Sequence, residues 1–131
     1  MKWNIVFLLS LFGVGIGIAS LFGFTEGVEF YWWIVVALVT AYILAKQTSH
    51  KLFLHGFYSG LGMGICHVFV LFIFFDLYVV HNPSIANGFT SIPGDIEPRT
   101  FFLITSPVIG GLYGLMLGAL AQIAAMFHIP K

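Results

Sequence analysis

The sequence predicts an all-α integral membrane protein: a compact bundle of four transmembrane helices with both termini cytoplasmic. Three observations lead there. The 131 residues are 60% hydrophobic and only 8% charged, whereas about a quarter of a soluble domain is charged. The charged residues sit between or at the ends of four apolar stretches, at 3–24, 28–47, 52–78 and 100–127, each close to or beyond the roughly 20 residues that cross a bilayer as a helix. Every stretch also carries small residues four apart: Gly13 and Gly17; Ala37, Ala41 and Ala45; Gly56, Gly60 and Gly64; Gly110, Gly114 and Gly118. On a helix that spacing keeps one face bare. In lipid, a bare face lets backbones approach and associate by packing.

The first stretch follows Lys2 and is too long for the apolar core of a signal peptide, and Ile18 spoils a small-x-small cleavage site, so it reads as a transmembrane helix. Its glycine face also includes Ser10 and Ser20. A tight outer turn, Thr25–Gly27, leads to the second and shortest stretch, whose Tyr31, Trp32 and Trp33 suit the outer headgroup region. Gln47–Lys51 makes a tight inner turn. The third stretch carries Phe69, Phe72, Phe74 and Phe75, expected to face lipid, and ends near Tyr78, another expected interface anchor. The segment 81–98 holds Pro83, Pro93, Pro98, Gly88 and Gly94 and is expected to be irregular, with Ile85, Phe89 and Ile92 folding it back over the bundle. In the fourth stretch Pro107 follows Thr105 and Ser106, an arrangement in which a hydroxyl takes over the carbonyl that the proline leaves unpaired.

Basic residues set orientation. Lys2, Lys46, Lys51 and Lys131 fall on one side, against Arg99 alone on the other with Glu26, Glu29, Asp95 and Glu97. The positive-inside rule then gives a multi-pass protein of the cell (inner) membrane, N-in and C-in. The five basic residues form no stripe, which excludes a nucleic-acid partner. A lone cysteine, Cys66, excludes an internal disulfide. Gly13–Ala19 and Gly60–Cys66 alternate glycine and aliphatic residues alike, as a duplicated helical hairpin would.

His67 is the most informative single residue. It falls near the middle of the third stretch and on the face of Gly60 and Gly64, where an ionisable group is costly and suggests function. Thr40 and Tyr113 bring hydroxyls to similar depth, so a buried polar cluster of Thr40, His67 and Tyr113 is expected as the binding site. No carboxylate is expected beside it, because Asp76 lies on the opposite side of the helix and nearer the outer surface; this argues against a carboxylate-based ion-coupled transporter. His50, His55 and His128 read as interface histidines rather than haem ligands, and His81, Asp95 and Glu97 fit no metal-ligand spacing. Ser59, Ser106 and Cys66 lack a base and orienter, so no catalytic residue, metal or cofactor is assigned and an enzyme is not favoured.

Besides the lipid bilayer, the expected partner is a second copy of the chain or a larger membrane complex, since Gly15, Gly62 and Gly111 lie off the main faces and suit a second interface. Two functional readings follow. One is a non-enzymatic subunit or scaffold associating through small-residue helix faces. The other is a small homo-oligomeric channel or transporter for a neutral or anionic solute, with a mid-membrane site near His67.

Overall fold

The computed structural model describes residues 1–89, 92 and 94–128. Among these residues six α-helices appear in chain order: α1 (Trp3–Leu21), α2 (Glu29–Gln47), α3 (Leu52–Ile73), α4 (Phe75–His81), α5 (Pro83–Gly88) and α6 (Pro98–Phe127). No strand occurs among the described residues. α1, α2, α3 and α6 are each long and apolar enough to cross a membrane, which makes the chain an all-helical bundle with four candidate spans.

Local chemistry sets the helix ends. α2 opens on Glu29 and has Lys46 in its last turn, charges that complement the helix dipole. α5 and α6 each begin on proline, whose fixed φ suits a first helical position and whose missing N–H is not needed there. Lys51 adopts the left-handed conformation, φ 55°, to turn the chain into α3. The third stretch is broken at Phe74. The ladder carries on through that residue, with Phe74 N–H donating to the Val70 carbonyl and Tyr78 N–H to the Phe74 carbonyl.

α3 is the spine. It packs most extensively on α6 and next on α1, while α2 lies chiefly against α6. The glycine faces explain the first contact. A Cβ placed on Gly56, Gly60 or Gly64 would come 2.6 Å from the Cα of Gly118, Gly114 or Gly110 respectively, so two antiparallel backbones touch along three successive turns. On the other side, a Cβ on Gly13 would run into the Met63 carbonyl, and one on Gly17 would meet Val70 at 3.1 Å. Gly62 does not form a separate interface, contrary to expectation: Ser10 of α1 lies over it. Gly15 and Gly111 have open space beside them. Ala37 and Ala41 of α2 join Leu9, Leu44, Met63, Leu117 and Ala121 in the core, and Ala45 is half-buried.

Both ends of the bundle are tied. At the end where α1 begins, His55 is buried; its Nε2 accepts the Lys2 backbone N–H at 2.9 Å and its Nδ1 donates to the Lys51 carbonyl at 2.9 Å. The expectation of a histidine sitting at the interface fails here because the ring seats the start of α1 on α3. At the opposite end Asn82 donates to the Ser20 carbonyl at 2.7 Å and to the Tyr78 carbonyl at 2.8 Å. Glu26 receives the Ser84 N–H and hydroxyl at the start of α5, and Ser20 and Thr25 share a hydrogen bond of 2.8 Å. Ile85 and Phe89 pack back onto a cluster of Leu21, Leu71 and Tyr78. Phe75 joins them, stacked on Phe89, instead of facing lipid.

Candidate functional site

Helix lengths position the site. α1 and α2 have 19 residues each, about 28 Å, whereas α6 has 30, about 45 Å. α3 with α4 is extended to match α6. The N-terminal end of α2 therefore stops short of its neighbours, and Glu29, its first residue, comes level with the C-terminal part of α3. Glu29 Oε1 lies 3.2 Å from His67 Nε2 and also accepts the Trp33 indole N–H at 3.4 Å. The expectation of no carboxylate beside His67 is thus overturned. Counting outward from the turn between Gln47 and Leu52 places Glu29 opposite residue 70, one helical turn from His67, and this register was readable from the sequence.

Trp33 is the hub. Its ring meets those of His67 and Tyr113 edge-to-face, with centroids 5.1 Å and 4.9 Å away, and its carbonyl accepts the Tyr113 hydroxyl at 2.9 Å. Neither Trp33 nor Tyr78 is an outer interface anchor: Tyr78 is buried and Trp33 half-buried, because both turn towards α6. His67 and Tyr113 come together across Trp33 as neighbours of one site. Thr40 does not join them by a hydrogen bond; its hydroxyl is buried without a partner, in the same condition as Ser59 Oγ and His67 Nδ1. A cluster of Thr40, His67 and Tyr113 bonded to one another is therefore not formed, since α2 presents Trp33, rather than Thr40, at the level of His67.

Glu29, Trp33, His67 and Tyr113, but not Thr40, line a cavity of about 540 Å³ between α2, α3 and α6, within the range of about 300–1,000 Å³ typical of small-molecule sites. Tyr78 and Phe102 form part of its wall. Phe30, Ile34, Ile109 and Met116, also in the lining, are exposed on the outside of the bundle. The opening thus faces sideways, out of an apolar helix surface.

Pro107 directly follows Thr105 and Ser106, both in the cavity lining. It cannot donate to the Leu103 carbonyl, and the Ser106 hydroxyl does so instead at 2.9 Å. Thr105 likewise donates back to the Phe101 carbonyl at 2.9 Å. Asp76 pairs with Arg99 at 3.6 Å, and the Arg99 guanidinium also lies over the rings of Phe72 and Phe75. Among the described residues no group of three or more His, Cys, Asp or Glu side chains is arranged to hold a metal ion. No protein-family model, curated protein or solved structure matches this chain.

Proposed function

We propose that this is a non-enzymatic multi-pass membrane protein that binds, and in oligomeric form transports, a neutral and largely apolar solute taken from the bilayer into the α2–α3–α6 cavity. The carrying observation is the cavity itself: an apolar chamber with a sideways mouth and a small polar patch of Glu29, His67 and Tyr113 in its lining. A neutral solute is favoured over an anionic one because the Glu29 carboxylate would repel an anion in a low-dielectric setting. Orientation follows the basic residues, with Lys2, Lys46 and Lys51 at the cytoplasmic end; Lys131 lies outside the described residues.

A subunit or scaffold role receives less support. The small-residue faces that would serve it are occupied within the chain, Gly56, Gly60 and Gly64 by α6 and Gly13, Gly17 and Gly62 by the α1–α3 contact. Gly15 and Gly111 alone among the helical glycines of the spans have space for a neighbour.

The test is carbene labelling in lipid nanodiscs with 3-trifluoromethyl-3-phenyldiazirine, a small, neutral, apolar probe. Adducts should concentrate on Ile34, Ile109 and Met116, and excess decane should compete for them but not for label on Leu38 or Val108 of the outer surface. Equal, non-competed labelling of both sets refutes the reading.

A further inference from the structure

An ionisable pair lines the apolar cavity, and nothing around it fixes its charge. Among the described residues Glu29 and His67 are the only groups in the lining that gain or lose a proton near neutral pH. They lie 3.2 Å apart and differ in access: Glu29 keeps 31% of its side-chain surface, whereas His67 is all but enclosed. α6 brings the Tyr113 hydroxyl, which is given to the Trp33 carbonyl, and α4 brings the Tyr78 phenol. Phenols ordinarily titrate near about pH 10. α1 places no residue in the lining. Glu26, in the turn before α2, is held by Ser84, and Arg99 of α6 is paired with Asp76 of α4, all outside the lining.

Protons set the charge of the pair as a unit. With no added proton Glu29 and His67 together bear one negative charge; with one they are neutral, whichever partner holds it; with two they bear one positive charge. An uncharged solute that fills the cavity takes water away from the exposed part of Glu29. Covering a net charge in this way is costly, and covering a neutral pair costs much less. We infer that the solute of this cavity binds together with one proton, held between Glu29 and His67, so that the protein is a proton-linked carrier. The inference rests on the cavity reading above. The premise that argued against ion coupling, the lack of a carboxylate beside His67, is the one the structure overturns. Glu29 is the first residue of α2 and is partly exposed, so a proton can reach the pair at the end of the helix instead of through the core. By linkage, solute affinity is highest where the one-proton form prevails and falls as pH rises past it, and bound solute draws a proton from solution in return.

The experiment uses full-length protein in phosphatidylcholine nanodiscs, with Trp3→Phe and Trp32→Phe so that Trp33, in the lining, alone reports. 1-Bromodecane, an uncharged apolar quencher, is titrated between about pH 4 and pH 10, and affinity is read from the half-saturating mole fraction. Affinity should fall about tenfold as pH rises through the titration of the pair, a coupling of ordinary size. At the midpoint of that fall, adding the probe to weakly buffered nanodiscs should turn the medium alkaline. Glu29→Gln should reverse the sign, because that site is neutral without the proton and positive with it, so its affinity should fall on acidification. His67→Phe leaves a lone carboxylate, and the fall should move down to about pH 4–5. A merely structural role for the pair would weaken binding at every pH without reversing the sign. Saturable quenching with the same affinity at every pH and no proton uptake overturns the coupling while leaving the cavity standing. An unreversed sign in Glu29→Gln assigns the proton elsewhere and overturns it too. If no saturable quenching occurs at any pH, the cavity reading falls and the coupling with it. The native profile and the proton uptake decide even where a variant does not fold.

Discussion

Replacing Gly60 with alanine puts a methyl group where the backbone of α6 already lies. Its Cβ would stand 2.6 Å from the Gly114 Cα and 2.9 Å from the Gly114 nitrogen. Both are backbone atoms with no rotamer in which to escape. Ordinary contact begins at 3.4 Å, so the helices must part by about 0.8 Å, a gap that forfeits roughly a quarter to a half of the dispersion energy of the facing atoms. Overpacking of this kind costs about 1–3 kcal/mol, offset by up to about 1 kcal/mol because alanine favours the helix more than glycine does. The net expectation is a loss of about 1–2 kcal/mol. A second methyl at Gly64 enters a gap that the first has opened, so the double variant should lose less than the two single losses combined. Gly15→Ala, with nothing within 4 Å of the new carbon, should be neutral or stabilising. Reversible unfolding by sodium dodecyl sulfate in mixed micelles, followed by tryptophan fluorescence, measures all four proteins. If Gly60→Ala unfolds within about 0.5 kcal/mol of the parent, or Gly15→Ala is as harmful as Gly60→Ala, the α3–α6 contact is not the close backbone packing described.

Three further outcomes are expected. Ser106→Ala strands the Leu103 carbonyl and should cost about 1–2 kcal/mol in the same unfolding assay, while adding Pro107→Ala should recover the loss by restoring a backbone N–H. Asn82→Ala removes the donors to the Ser20 and Tyr78 carbonyls and should cost about 2 kcal/mol; Asn82→Asp should cost more, since a carboxylate has no proton for either. For orientation, with Cys66 replaced by alanine, an impermeant maleimide should label Asp95→Cys in intact cells and His50→Cys only after permeabilisation; the reverse pattern inverts the topology.

The four spans were legible because charge avoidance is unambiguous in a bilayer, and the glycine faces were legible because a four-residue spacing has one geometric meaning on a helix. Ser10, Gly13, Gly17 and Ser20 are all buried on one side of α1, as that spacing requires. The break at Phe74 was not legible: residues 69–81 contain neither proline nor glycine to announce it. The site was half legible. His67 stands out by its place near the middle of its stretch, but Glu29, at the start of the second stretch, reads as a charge of the side opposite the lysines unless the register of the α2–α3 hairpin is counted. Trp33 and Tyr78 were misread for a related reason. An amphipathic ring near a span end suits the headgroup region or an internal cavity equally, and only the recessed end of α2 tells which.

The pattern of helix contacts has a consequence for how the chain comes together. α1 and α2 are neighbours in sequence, yet they touch only slightly; α1 is held by α3, and α2 by α6. During synthesis the first hairpin is therefore complete before either of its real partners exists. The Lys2 amide waits for His55, and the Glu29 carboxylate waits for His67. α1 can settle on α3 as soon as α3 is made, whereas α2 gains its main contact only when α6 arrives, glycines against α3 and another face against α2. α6 thus acts as the keystone that closes α2 onto the α1–α3 pair.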